Sequence, residues 1–280
     1  MEIGIIGYGN IGRTLASFFY ENNHYVNIYD ISKTARDHAK TYYKVFSNPT
    51  DFPETTDFIF LCLPTYVTIS DNTYTYDHVF NSIKSLKNSL SPDQYVISTS
   101  TAMSGYSLRS AKLMTPFQRN YVYMPMFMRE DTMNDDFRKL YPVNRLIFGV
   151  HPHLLSDYKP QLEALKQKLT ILFEPLLTKN NLGVDAMIFT NYEEAEDAKI
   201  LDAIHLMARI SISNAFGKTN NLVKLDKRLG NYGFEAGRPF GGKCLPNYAN
   251  GILQNENTPQ KVKLLVKTFL EINDSVKTQA

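Results

Sequence analysis

The chain has 280 residues, 43% of them hydrophobic, and its 30 basic and 28 acidic side chains leave a formal net charge of +2. That length fits one large domain or two of about 150 residues, with a core that needs no cross-links. The charge balance argues against nucleic-acid binding by bulk positive potential, two cysteines are too few for a disulfide scaffold, and no apolar run approaches the roughly 20 residues of a membrane span. The first residues, Met1 to Gly7, lack the basic and apolar regions of a signal peptide. The expected location is the cytoplasm, with no membrane partner.

Ile3–Ile6 predicts a first strand, which ends in Gly7-Tyr8-Gly9-Asn10-Ile11-Gly12. Leu15, Phe18 and Phe19 follow at helical spacing, and Tyr25–Tyr29 predicts a second strand that ends at Asp30. Further strands are expected at Phe58–Leu63, Tyr95–Ser98, Tyr121–Tyr123, Leu146–Val150 and Leu172–Glu174. Helices are expected over Tyr76–Leu90 and Leu155–Leu169. This alternation predicts an α/β fold with a Rossmann-type, doubly wound and largely parallel sheet. After about residue 190 the pattern changes. Glu193–Asn220 contains no proline, and Ile200, Ile204, Met207, Ile210 and Ala215 recur at helical spacing. A helix of that length would span about 42 Å, which suits a connecting or dimer-forming element. Glu193, Glu194, Glu196 and Asp197 suit its start through the helix dipole. A glycine-rich loop, Gly230–Gly242, and a last helix, Thr258–Ser275, complete the chain.

A Gly-x-Gly-x-x-Gly run is weak evidence alone. Here it follows a strand, opens a helix and has Asp30 at the end of the next strand, which is the context of a dinucleotide fingerprint. Gly7 permits the tight turn, Gly9 the approach of the pyrophosphate, and Gly12 the packing of helix on sheet. The N–H groups around Asn10 and Ile11 would face the phosphates. Asp30 would accept the adenosine ribose hydroxyls and repel a 2′-phosphate, favouring NAD over NADP. Lys33 and Arg36 lie close enough to weaken that preference. Residues 1–188 are expected to form this NAD-binding domain, and 189–280 a helical dimerisation domain that carries the cysteine loop.

Several further motifs occur in order. They are Leu63-Pro64-Thr65, Ser100-Thr101 with Gly105, Pro125-x-Phe127-Met128-Arg129-Glu130, Arg145-Leu146-Ile147-Phe148-Gly149, and Ala195-Glu196-Asp197-Ala198-Lys199. Arg228-Leu229-Gly230 and Phe240-Gly241-Gly242-Lys243-Cys244-Leu245-Pro246 follow. With these motifs the chain resembles the UDP-glucose/GDP-mannose 6-dehydrogenase family over nearly its whole length. The resemblance implies NAD-dependent oxidation of a nucleotide-sugar C6 alcohol to a carboxylate, used in making polysaccharide precursors. It implies Cys244 as the nucleophile, Lys199 as the group that stabilises the substrate oxyanion, and Thr101 and Glu130 as residues that position and activate water. It also implies Thr65 and Thr101 beside the cofactor, Arg228, Phe240, Gly241 and Gly242 at the substrate, and a homodimer in which Arg228 reaches the neighbouring subunit.

The departures are specific. The family's glutamate, asparagine and Lys-Asp pair are replaced by Met126, Ala203, Asn247 and Tyr248, and the family's second Rossmann-like domain is not expected in this chain. A catalytically weakened NAD-binding protein with a structural or partner-binding role is therefore the alternative. A two-electron alcohol dehydrogenase of the hydroxyacid type is a third reading, but it leaves the cysteine segment without a purpose. Cys62, in mid-strand, reads as core packing. The His151-x-His153 pair reads as a loop or cap, and no metal site is expected.

Overall fold

The computed structural model describes residues 1–67, 74–127, 144–219, 221–227, 229, 232–242 and 244–278. In chain order the strands and α-helices are β1 (Glu2–Ile6), α1 (Asn10–Glu21), β2 (Tyr25–Tyr29), α2 (Lys33–Ala39), β3 (Lys44–Val45), β4 (Phe58–Leu61), β5 (Tyr66–Val67), β6 (Tyr74–Thr75) and α3 (Asp77–Leu86). They continue with β7 (Tyr95–Ser98), α4 (Tyr106–Leu113), β8 (Tyr121–Tyr123), β9 (Leu146–Val150), α5 (Pro152–Ser156), α6 (Lys159–Lys179), β10 (Met187–Asn191), α7 (Tyr192–Phe216), α8 (Cys244–Gln254) and α9 (Gln260–Lys277). Packing divides the chain into two units. The first comprises Met1–Thr65 and Tyr76–Glu196, and the second Tyr66–Thr75 and Asp197–Ala280.

In the first unit an eight-stranded sheet has the order β10-β9-β8-β7-β4-β1-β2-β3. Neighbours are parallel except β8 and β9, so β9 and β10 run against the other strands. The expected doubly wound, largely parallel α/β fold is therefore present. Strands such as Phe58-Ile59-Phe60-Leu61 and Leu146–Val150 are buried at every position, as strands covered on both faces must be. Much of the covering is aromatic. Phe19 of α1 lies 5.1 Å from Phe60, Phe18 stacks on Phe173 of α6 at 6.2 Å, and Phe173 lies 5.9 Å from Phe148.

The structure corrects one strand. Leu172–Glu174 belongs to α6, where Leu165, Leu169, Leu172, Phe173, Leu176 and Leu177 are all buried. Their spacing is that of a single helical stripe, and the short apolar run is only its densest point. Pro175 sits inside that helix without ending it. The strand that completes this side of the sheet is β10, paired with β9 from Met187↔Leu146 to Asn191↔Val150. The long helix starts at Tyr192 and stops at Phe216, short of Asn220. Gly217, at φ +70°, turns the chain out of it.

In the second unit β5 and β6 form an antiparallel hairpin, and the Tyr74 N–H donates to Gln254 of α8 at 2.5 Å. Ala249 and Ile252 of α8 and Val266 of α9 are buried. Among the described residues no helix is long and apolar enough to cross a membrane.

Candidate functional site

In the first unit β1 lies between β2 and β4, which is the point where the strand order reverses. Ligands of open α/β sheets bind in the crevice beyond the carboxyl ends of strands at such a point. The loop after β1 is shaped by its glycines. Gly7 has φ +95°, and a Cβ there would lie 2.5 Å from the Cys62 carbonyl oxygen. A Cβ on Gly12 would collide with the Gly7 carbonyl oxygen. Gly9 is different. Its φ of −80° and ψ of −159° are open to any residue, and a Cβ would meet nothing within 4 Å. Protein packing therefore does not require glycine at this position, whereas a phosphate brought close to the backbone would. Gly9 is also the N-cap of α1. It gives the helix no side-chain cap, and the first turn carries no acidic residue, a combination that suits an anion.

Asp30 is held from both sides. The Tyr8 N–H donates to Oδ2 and the Ser32 N–H to Oδ1, each at 2.7 Å. The two nearby cations are engaged elsewhere. Lys33 pairs with Asp37 at 2.5 Å, and Arg36 donates to the main-chain carbonyls of Asp30 and Ile31 at 2.7 and 2.8 Å.

The loops after β4 and β7 are stitched together by hydroxyl groups. Thr99 donates to the Leu61 carbonyl at 3.1 Å, Ser100 to that of Leu63 at 2.7 Å, and Thr65 to that of Thr101 at 3.0 Å. Cys62 lies within this seam, and burial pushes its thiol up to about 12. Met126 is half-buried and packs against the apolar core. Glu196 was read as a helix-start charge, but its carboxylate serves another helix. It accepts the Gly105 N–H at 2.8 Å and the Ser107 N–H at 2.6 Å, and so caps α4 from a nearly fully buried position. His151 likewise caps α5, its Nδ1 accepting the His153 N–H at 3.3 Å.

The second unit holds Lys199, Cys244 and the loop before it. Cys244 is exposed and is the first residue of α8. Tyr248, one turn further along, is buried, and its ring centroid lies 5.9 Å from the Lys199 ammonium. Lys199 also pairs with Asp202 at 2.8 Å. Two side-chain amides hold the segment that leads to the cysteine. Asn214 of α7 accepts the Gly237 N–H and donates to the Arg238 carbonyl, both at 2.9 Å. Asn273 of α9, fully buried, accepts the Phe240 N–H at 2.6 Å and donates to the Phe240 carbonyl at 3.0 Å. Ser213 adds a bond to the Gly233 carbonyl at 2.7 Å. Phe240 is buried, while Gly241 and Gly242 are exposed, with Gly242 at φ +68°. Glu130 and Arg228 lie outside the described residues, as do Gly230 and Lys243. Sequence reasoning missed Asn214, Asn273 and Asp202. Only Asp202 had a local signal, its three-residue distance from Lys199.

The family described as the NAD binding domain of 6-phosphogluconate dehydrogenase matches residues 2–126. The UDP-glucose 6-dehydrogenase of Campylobacter jejuni is 26% identical over 244 residues, covering 83% of this chain and 52% of that protein. The UDP-glucose 6-dehydrogenase AglM of Haloferax volcanii is 25% identical, covering 98% of this chain and 70% of its own length. The chain thus spans about half the length of the first of these relatives. The solved UDP-glucose dehydrogenase of Pyrobaculum islandicum shares the fold, with a TM-score of 0.77 at 20% identity over 98% of this chain and 68% of that one. Residues 2–126 are therefore an NAD-binding domain of Rossmann type, and the chain as a whole is similar to UDP-glucose 6-dehydrogenases.

Proposed function

We propose that the protein uses NAD to oxidise the C6 alcohol of a nucleotide sugar to the carboxylate, by way of a sugar bound covalently to Cys244. The observation that carries this reading is the arrangement in the second unit. The exposed cysteine opens α8, and the same helix presents Tyr248 to the Lys199 ammonium. NAD, when bound, accepts the hydride in each of the two oxidations. The open cradle over Gly9 and the uncapped start of α1 fit its pyrophosphate, and Asp30 fits its ribose.

The protein's own groups then have these roles. Lys199 stabilises the alkoxide as the alcohol becomes an aldehyde. The Cys244 thiolate adds to the aldehyde carbon, and the oxygen takes the negative charge as the thiohemiacetal forms. Loss of a hydride from that carbon leaves a thioester. Water displaces the sulfur, releasing the carboxylate and the free thiol. The electropositive end of a helix is a setting that favours a thiolate. Glu130 and Thr101 are proposed to position the water. Arg228 and the Phe240–Gly242 segment are proposed to hold the substrate. The test is NADH formation over a panel of UDP- and GDP-sugars. NAD binding without turnover of any of them would instead favour a structural or partner-binding role. The placement of Ala203, Tyr248 and Met126 where the resembled family has an amide and two carboxylates is the observation on that side.

NAD should bind at least about tenfold more tightly than NADP, a difference of about 1.4 kcal/mol. Asp30 is fixed by two N–H groups, while Lys33 and Arg36 are bound elsewhere. Calorimetric titration checks this, and equal affinities would show that the cations outweigh the carboxylate. Asp30→Ala should narrow the difference.

The second unit also points to a homodimer. Ile212 and Phe216 of α7 are 66% and 70% exposed, and Leu222 and Leu225 just beyond are 73% and 75% exposed. Large exposed apolar groups so close together in the chain suit an interaction surface. Light scattering at micromolar concentration should give a dimer mass, and a monomer would remove the idea.

A further inference from the structure

We propose that Asp202 is the positioning residue for Lys199, holding its ammonium where it meets the substrate oxygen; this rests on the role given to Lys199 above. Residues three apart on a helix share a face, so such a pair is common. The other described Lys pairs at this spacing, Lys40–Asp37, Lys277–Asp274 and Lys166–Glu163, have lysine side chains 61%, 51% and 36% exposed. The Lys199 side chain is only 13% exposed, and its partner Asp202 is 31% exposed. A cation so far withdrawn from water calls for a close counter-charge.

Two described groups with different geometry bear on where that charge lies. The Asp202 Oδ2 takes one of its donors at 2.8 Å, and the Tyr248 ring lies 5.9 Å away. The ring belongs to the helix that starts with Cys244, so the same contact that orients the lysine ties it to the cysteine's helix. The carboxylate stands one residue before Ala203, and the aromatic ring stands at Tyr248. The lysine's carboxylate partner thus comes from Asp202, one residue before the family's asparagine position, while Tyr248 fills the position of the family's aspartate. Losing the carboxylate would remove the 2.8 Å bond that directs the ammonium, and small displacements of a reacting group are costly to the rate.

The test combines chemical labelling with kinetics on the full chain. Wild type, Asp202→Asn and Asp202→Glu are treated with an N-hydroxysuccinimide acetate ester at neutral pH, and acetylation of each lysine is followed by peptide mass spectrometry. An amine held in an ion pair is a poor nucleophile. Lys199 should therefore react several-fold faster in Asp202→Asn, and near the wild-type rate in Asp202→Glu. The surface lysines serve as internal controls and should not change. With a sugar that the wild type oxidises, Asp202→Asn should lower kcat by about 10- to 100-fold with little change in KM, and Asp202→Glu should restore part of it. Unchanged labelling of Lys199 in Asp202→Asn would overturn the proposal, and so would faster labelling with an unchanged kcat. Faster labelling in a protein that oxidises no sugar would support the pairing of Asp202 with Lys199 and count instead against the proposed function.

Discussion

Gly9→Val should leave the protein folded and remove NAD binding, whereas Gly12→Val should damage both. The contrast follows from what each new side chain meets. At Gly9 the backbone is in an extended region open to any residue, and a Cβ has empty space around it. The melting temperature should therefore move by no more than a few degrees. The valine methyls would occupy the space required by a pyrophosphate on the start of α1, and affinity for NAD should fall by at least about 100-fold, or about 2.7 kcal/mol. At Gly12 the Cβ runs into the Gly7 carbonyl oxygen. That contact is backbone against backbone, and neither α1 nor the loop can yield without losing the packing of Leu15 and Phe19. Overpacking of this kind costs about 1–3 kcal/mol or more, and the melting temperature should drop clearly. Thermal melts and calorimetry on the two variants separate the effects. Normal NAD binding by folded Gly9→Val would mean that the cradle is not the pyrophosphate site.

Cys244→Ser should stop the reaction after the first oxidation. A serine hydroxyl is a far poorer nucleophile than a thiolate near neutral pH, so the aldehyde would not be captured for the second hydride loss. NADH yield should fall from two per sugar to one, with aldehyde released. The protein has two cysteines, which allows a direct check. Burial pushes the Cys62 thiol up to about 12, while Cys244 is exposed. Iodoacetamide at neutral pH should therefore label Cys244 in the wild type, leave Cys62 unmodified, and block turnover to the same extent as the serine variant.

What could be read from the sequence was mostly what neighbours in the chain decide. The fingerprint, the strand before it and the helix after it lie within about twenty residues, and each glycine's backbone demand is local. The alternation that identifies a doubly wound sheet is likewise a matter of short apolar runs. Local density also misled. Leu172–Glu174 looks like a strand until Leu165, Leu169 and Leu176 are placed on the same helical stripe. The edge strand Met187–Asn191 passed unnoticed because only Met187 is buried, so it lacks the continuous apolar run of the central strands.

Long-range pairings had no signal at all. Glu196 is separated by about ninety residues from the N–H groups that it caps, and beside Glu193 and Glu194 it looked like one more charge at a helix start. The Asn273 amide matches the Phe240 main chain across thirty-three residues with no periodicity to reveal it. Such amides satisfy buried backbone groups, each of which would cost about 1–3 kcal/mol unpaired, so they set where the cysteine loop lies. Tyr248 and Ala203 could be read as departures from a family pattern. That Tyr248 faces Lys199, and that Asp202 supplies a carboxylate one residue before Ala203, required the fold.

The measurement that tests the central claim most directly is the number of NADH molecules formed per nucleotide sugar consumed by the wild-type protein, with the sugar limiting and NAD in excess. Oxidation of an alcohol to a carboxylate through Cys244 predicts two, with the sugar acid as the only organic product. A yield of one, with the aldehyde or ketone as product, would contradict the covalent four-electron route and leave a two-electron alcohol dehydrogenase in its place.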